Sequence, residues 1–181
     1  MREPEPDVVR RAQAGDLGAF EELVRRCQGD AWRFAYHLTR DRTLADDVTQ
    51  DAFVRAYRGL HTFSGQSKFT SWLLRIVHNC AADARRRAGR DRALAERAAE
   101  SLAVHSSGGG VEERLRLQAA VDALPQRFRE PFVLIEVLGY DYREAAAILQ
   151  APIGTLKSRM HRARAAMMRH LSESEEAAGE M

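Results

Sequence analysis

The chain is poor in several things that would announce a function. Among 181 residues there are two cysteines, Cys27 and Cys80, far apart. That is too few for a disulfide framework or a cysteine-based zinc site. Both fall on apolar helical stripes and read as small buried hydrophobes, a redox-sensing thiol pair being the sharper alternative. No apolar run approaches the ~20 residues of a membrane span. The opening, MREPEPDVV, has no apolar h-region, so the expectation is a cytoplasmic protein with no signal peptide and no membrane contact of its own. The alternation that marks strands is nearly absent. There is no glycine-rich phosphate loop, nucleophile elbow or His-x-x-x-His pair. His78 and Cys80 are two apart, and Asp46 and Asp47 are adjacent, so neither pair shares a helix face. No catalysis, metal or cofactor is expected. Lysine is also scarce: Lys68 and Lys157 stand against a basic complement that is otherwise arginine.

What is present is helical periodicity and segregated charge. Hydrophobic residues make up 45% and charged residues 30%, a normal soluble mixture. The formal net charge of +2 hides its distribution. From Arg75 to Arg97 seven arginines face Asp83, Asp91 and Glu96. From Tyr142 to Leu171 six Arg and Lys face Glu144 alone. The tail after Leu171 is acidic. Two basic regions on a nearly neutral chain suggest two contacts with one polyanion, the plainer reading being two solvated helix faces.

Asp16 is placed to cap a helix running towards Arg40, with a stripe of Phe20, Leu23, Val24, Cys27, Ala31, Phe34, Ala35 and Leu38. A second helix spans about Leu44 to Leu60, apolar at Leu44, Val48, Ala52, Ala56 and Leu60. The loop HTFSGQSKF follows. A third helix, roughly Lys68 to Arg87, carries Phe69, Trp72, Leu73, Ile76, Val77, Cys80 and Ala84. Residues 89–112 change character, have no large aromatic, and contain Ser-Ser-Gly-Gly-Gly, a flexible linker. Beyond it helices are expected at about 113–123, 126–138, 142–149 and 153–170. Pro125 suits a first helical turn and Gly139 a helix C-cap. Pro131 either kinks its helix or delays the regular part.

The last two of these helices form a motif. Asp141 and Glu144 fit a capping box. Gln150 and Ala151 make a short turn and Pro152 opens the next helix, giving a helix-turn-helix. Ile153, Leu156, Met160, Ala163 and Met167 are expected inward. Thr155, Lys157, Ser158, His161 and Arg162 are expected outward, where Lys157, His161 and Arg164 can donate to phosphates or base edges. A plain helical hairpin is the alternative.

TLADDVTQDAFVRAYRGLHTFSGQSKFTSWLLRIVHNCAADARRR, Thr43 to Arg87, closely resembles region 2 of bacterial extracytoplasmic-function (ECF, group 4) RNA polymerase sigma factors. ALPQRFREPFVLIEVLGYDYREAAAILQAPIGTLKSRMHRARAAM resembles their region 4. The resemblance runs from Asp7 to Leu171, the linker matching only in length and looseness. It implies an all-α protein of two small helical domains: region 2 over 7–88, a flexible linker over 89–112, region 4 with its helix-turn-helix over 113–171, and an acidic tail over 172–181. No inhibitory N-terminal domain is expected ahead of Asp7, and no extra C-terminal regulatory domain after Leu171. The implied function is to bind core polymerase, direct it to −10 and −35 promoter elements, and promote melting. Asp47, Gln50 and Asp51, at i, i+3 and i+4, would with Asp46 dock on the β′ clamp helices. Ser64, Gly65, Gln66, Ser67 and Lys68 would wrap a base flipped from the non-template strand. Phe63 and Asn79 would line its pocket, with Arg55, Arg75, Arg85, Arg86 and Arg87 near the backbone. Trp72 reads as core rather than as a melting wedge. Thr155, Lys157, Ser158, His161 and Arg162 would read −35, and the apolar side of region 4 would meet the β flap. An anti-sigma factor and a monomeric free state are also implied. Gln150 stands where the family often has glycine. If that backbone needs a positive φ, glutamine costs roughly 1 kcal/mol. The other reading of the second half is a stand-alone helix-turn-helix regulator, which would be a dimer on paired half-sites.

Overall fold

The computed structural model describes residues 2–95 and 111–179, and side chains for 2–88 and 117–172. Among these the chain is helical, without a strand. Helix α1 spans Pro6–Gln13, with Pro6 in its first turn and Val8, Val9 and Ala12 buried. This helix was not expected from the sequence. Helix α2, Leu17–Thr39, starts where the Asp16 carboxylate accepts from the Ala19 N–H at 3.0 Å. It ends at Arg40, which is left-handed at φ 58°. Helix α3, Arg42–Gly59, is capped by Asp41 and followed by a 3₁₀ turn at Leu60–Thr62. Helix α4, Phe69–Ala95, continues past the expected end at Arg87 into the segment read as linker. The rest of that linker, 96–110, lies outside the described residues.

Helix α5 spans Val111–Ala123 and α6 spans Gln126–Phe132. Pro125 is the N-cap of α6 rather than a residue of its first turn. Pro131 does not delay the helix: it stands inside α6, and the chain widens after it into a π turn at Val133–Val137, where the Leu138 N–H reaches the Val133 carbonyl at 2.9 Å. A proline ring clashes with the carbonyl four residues back, and an i→i−5 turn next to it is one way to absorb the misfit. Gly139, at φ 74°, turns the chain out. Helix α7, Tyr142–Leu149, begins with the expected capping box. Helix α8 spans Ile153–Gly179.

Two apolar clusters hold these elements. One joins α1, α2, α3 and the start of α4 through Val9, Leu23, Cys27, Leu60, Phe69 and Leu73. The other runs from Ala31, Phe34 and Leu38 of α2 and Leu74, Val77 and Ala81 of α4 to Val133, Leu134, Ile148, Leu156 and Met160. The two halves thus share a core: α4 lies against α7, and α2 against α6 and the π turn. Leu156, Met160, Ala163 and Met167 are buried as expected, but Ile153 is 40% exposed. It sits in the first turn of α8, ahead of the point where α7 crosses.

The capping box is the clearest local determinant of α7. Asp141→Ala should cost about 1 kcal/mol, read as a lower urea midpoint at unchanged slope, since the two N-terminal amides it accepts from lose their partner.

Candidate nucleic-acid interface and its relatives

The loop between the 3₁₀ turn and α4 is built around an aromatic trio. Phe63 meets Phe69 edge-on at 5.9 Å and Trp72 at 5.4 Å between ring centroids. Phe63 is half-buried and so is Trp72, while Ser64, Gly65, Gln66, Ser67 and Lys68 are exposed. Gly65 takes φ 73°, a left-handed turn that lets the loop double back. Beside it is a cavity of about 350 Å³, lined by Phe63, Ser64, Gly65, Ser67 and Phe69 and, on its far wall, by the N-terminal segment. That wall was missed from the sequence. Gln13 donates through its amide nitrogen to the carbonyls of Leu60 at 3.1 Å and Phe63 at 2.7 Å. The Glu3 carboxylate accepts from the Phe69 and Thr70 backbone N–H groups and from the Thr70 hydroxyl. An acidic group at a helix N-terminus is favourably placed. Only Pro6, suited to a first helical turn, hinted at this segment.

Asn79 lies farther along α4, exposed, away from the cavity wall, so the structure does not bring it together with Phe63 as pocket lining. Its Oδ1 accepts from the Gln150 amide at 3.2 Å. Arg55 is held by Asp51 at 2.8 Å and Asp83 at 3.1 Å, and its guanidinium pKa is raised chiefly by the Asp51 hydrogen bond. Arg86 is paired with Asp83 as well. Arg75 and Arg87 are exposed.

On α3, Asp46, Asp47 and Gln50 are exposed and Asp51 is half-buried. The expected acidic face is thinner than its sequence. Asp46 accepts from the Trp32 indole at 2.6 Å, and Asp51 is engaged by Arg55. Asp47 and Gln50 have no polar partner among the described residues. On α8, Lys157, Ser158, His161 and Arg162 point outward and Thr155 is half-buried. The Ser158 hydroxyl donates to the Thr155 carbonyl at 2.9 Å. Arg164, expected to be available to DNA, is instead paired with Glu136 at 2.7 Å.

Gln150 does adopt the left-handed conformation, at φ 51° and ψ 42°, so the turn carries the strain that glycine would avoid. Cys27 and Cys80 are buried free thiols in different clusters. Burial pushes both thiols up to about 12, which suits packing rather than redox chemistry.

The seam between the halves is polar at its centre. Glu130 of α6 is 9% exposed and faces His78 at 3.7 Å and Arg85 at 3.6 Å. Burial alone would raise its carboxyl, but His78, the Gln126 amide and Arg85 outweigh this and hold it below the usual value. Lys68 pairs with Glu144 of α7 at 2.6 Å. His37 is buried nearby, and burial lowers its pKa, with Arg129 and Arg33 reinforcing the effect and Asp122 opposing it.

Two sequence families match this arrangement in order. Residues 23–91 match Sigma-70 region 2 and residues 114–167 match Sigma-70 region 4. The chain therefore belongs to the sigma-70 family of transcription initiation factors. It is 34% identical to the ECF RNA polymerase sigma factor SigE of Mycolicibacterium smegmatis over 167 residues, which cover 87% of this chain and 63% of that protein. It is 34% identical to the RNA polymerase sigma-H factor of Pseudomonas aeruginosa, over 92% of this chain and 93% of that one. Among solved structures, the sigma factor RpoE of Bartonella quintana, in complex with the anti-sigma factor NepR, matches with a TM-score of 0.73 at 29% identity, over 84% of this chain and 96% of that one. CnrH, in complex with the cytosolic domain of CnrY, matches at 0.70 and 28%, over 92% and 96%. Within the family the chain is an ECF sigma factor, not a stand-alone regulator. Among the described residues no helix is long and apolar enough to cross a membrane.

The buried imidazole sets a pH dependence. A folded pKa below the ordinary 6.5 means that His37 contributes stability above 6.5 and loses it as pH falls through the folded value. Thermal midpoints measured between about pH 7.5 and about pH 5.5 should fall further for the wild type than for His37→Gln.

Proposed function

We propose that this sigma factor is of group 4 and divides its labour between a region 2 unit over 7–88 and a region 4 unit over 113–171. Residues 89–112 join them and 172–181 form an acidic tail. Region 2 docks on the β′ clamp helices of core polymerase through Asp46, Asp47, Gln50 and Asp51. Asp47 and Gln50 carry most of that contact, because Trp32 and Arg55 already occupy the other two carboxylates. The reading rests above all on one observation: an exposed polar loop, Ser64 to Lys68, stands over a cavity walled by Phe63 at the head of a basic helix.

A base flipped from the non-template strand is held there. Phe63 offers a ring edge and Ser64, Gln66 and Ser67 offer hydrogen-bond groups, so capture replaces stacking and pairing in the duplex. Lys68, Arg75, Asn79 and Arg86 follow the strand along α4, and Arg55 stands beside it. Region 4 reads −35 through Thr155, Lys157, Ser158, His161 and Arg162 on α8, which enters the major groove. Its apolar side meets the β flap. The chemistry of RNA synthesis belongs to the polymerase, and this chain contributes recognition and strand capture without cofactor or metal. It works in the cytoplasm, as a monomer when free, and is held by an anti-sigma factor, as CnrH and the Bartonella protein are seen with bound partners.

Run-off transcription with core polymerase, on promoters found by genome-wide start mapping, tests the reading; no initiation at any promoter would overturn it. Two substitutions separate its parts. Asp47→Arg should lower core affinity at least tenfold, about 1.4 kcal/mol, by placing a like charge against the partner's arginines. Lys157→Ala should weaken binding to −35 duplex with a flatter salt dependence while holoenzyme assembly persists.

A further inference from the structure

The loop from Ser64 to Lys68 is held at its ends and not in its middle. Ser64 to Ser67 are exposed and make no hydrogen bond to the described residues. Both ends are tied to the N-terminal segment. At the entry, the Gln13 amide nitrogen donates to the carbonyls of Leu60 at 3.1 Å and Phe63 at 2.7 Å. An amide nitrogen has two N–H groups, so both are used, and two carbonyl acceptors fix which way the amide faces. The Phe63 carbonyl belongs to the planar peptide that leads into Ser64, so this bond sets the direction in which the loop departs. At the exit, the Glu3 carboxylate accepts from the N–H groups of Phe69 at 2.6 Å and Thr70 at 3.2 Å, the first two residues of α4.

These ties are long in sequence and short in space. Gln13 lies 50 positions before Phe63, and Glu3 lies 66 before Phe69. The segment that carries them is itself anchored, with Pro4, Val8, Val9 and Ala12 buried. Glu3 and Gln13 stand half-buried in the lining of the cavity, opposite the loop. One wall of the cavity therefore comes from outside the loop and from a packed element. An exposed five-residue loop samples many conformations, and ordering it around a ligand subtracts from affinity. Fixing both of its ends beforehand lowers that cost.

We propose that Gln13 and Glu3 are positioning residues for base capture, holding the entry and exit of the 64–68 loop so that an extruded base meets Phe63 and the loop hydroxyls already in place. This rests on the reading of the cavity as the site of the flipped base. Neither side chain has to touch that base. Gln13 acts through the Phe63 carbonyl, and Glu3 through the first turn of α4. A nucleotide that stays outside the cavity gains nothing from either, so their influence is confined to one position of the strand.

The test uses the full chain assembled with core polymerase and labelled single strands carrying the non-template −10 sequence of a mapped promoter. An abasic site is moved through that sequence one position at a time, and fluorescence anisotropy reads the affinity. For the wild type one position should stand out, losing about tenfold when its base is absent. Gln13→Met keeps the length of the side chain and removes both donors. It should bind the intact strand about fivefold more weakly than wild type, and the strand abasic at that position equally well. Glu3→Gln leaves one oxygen for the amides it now serves with two, and should show the same pattern with a smaller loss. Circular dichroism checks the folding of both variants, and should Gln13→Met unfold, Glu3→Gln carries the comparison. Equal weakening on intact and abasic strands, the mark of a purely structural role, would overturn the proposal, and so would no weakening at all. A wild type for which no position stands out would instead remove the base-capture reading, and the proposal with it.

Discussion

Glu130 is the group on which the arrangement of the two halves turns. A carboxylate at 9% exposure is costly unless it is met by charge and hydrogen bonds. It is met by Gln126 from its own helix and by His78 and Arg85 from α4. Those two side chains reach it only if α6 lies against α4. Around this polar centre the apolar parts of both halves close into one cluster, from Phe34 and Val77 to Leu134 and Leu156. Hydrophobic burial supplies the adhesion there, and the ionic centre supplies register, since a non-directional contact between two helical surfaces would tolerate many offsets.

The same centre joins the two helices proposed to meet nucleic acid. Helix α4 carries the groups proposed for −10 contact and shares its inner side with the core of the first half. Helix α7 packs on it and hands on to α8, whose outward residues are those proposed for −35.

Much of the helical frame is readable from the chain as letters, since its determinants are local. Asp16 caps α2, Asp141 and Glu144 box the start of α7, and Gly139 turns the chain at a positive φ. The stripe Leu156, Met160, Ala163 and Met167 follows helical periodicity and is buried. Where tertiary packing competes with the local pattern, the reading fails. Helix α1 is only eight residues long, and Val8, Val9 and Ala12, though spaced for one helix face, are too few to mark a helix before α2 receives them. The effect of Pro131 depends on a π turn that no spacing reveals. Ile153 matches the stripe but begins its helix too early to be covered. Arg164 looks available to DNA until the fold brings Glu136, 28 positions earlier, beside it.

The sequence alone determined most of the helical segments, where several of them are capped, which faces are apolar and, through motif order, that this is an ECF sigma factor. Capping and periodicity act within a few residues, so they survive in a one-dimensional record. Only the tertiary structure decided which polar groups remain available. Asp46 is engaged by Trp32, Asp51 by Arg55, Lys68 by Glu144 and Asn79 by Gln150. Each pairing joins positions set by the packing of whole helices. Long-range electrostatics of that kind depends on distance in space, and distance in space is what the order of residues does not state.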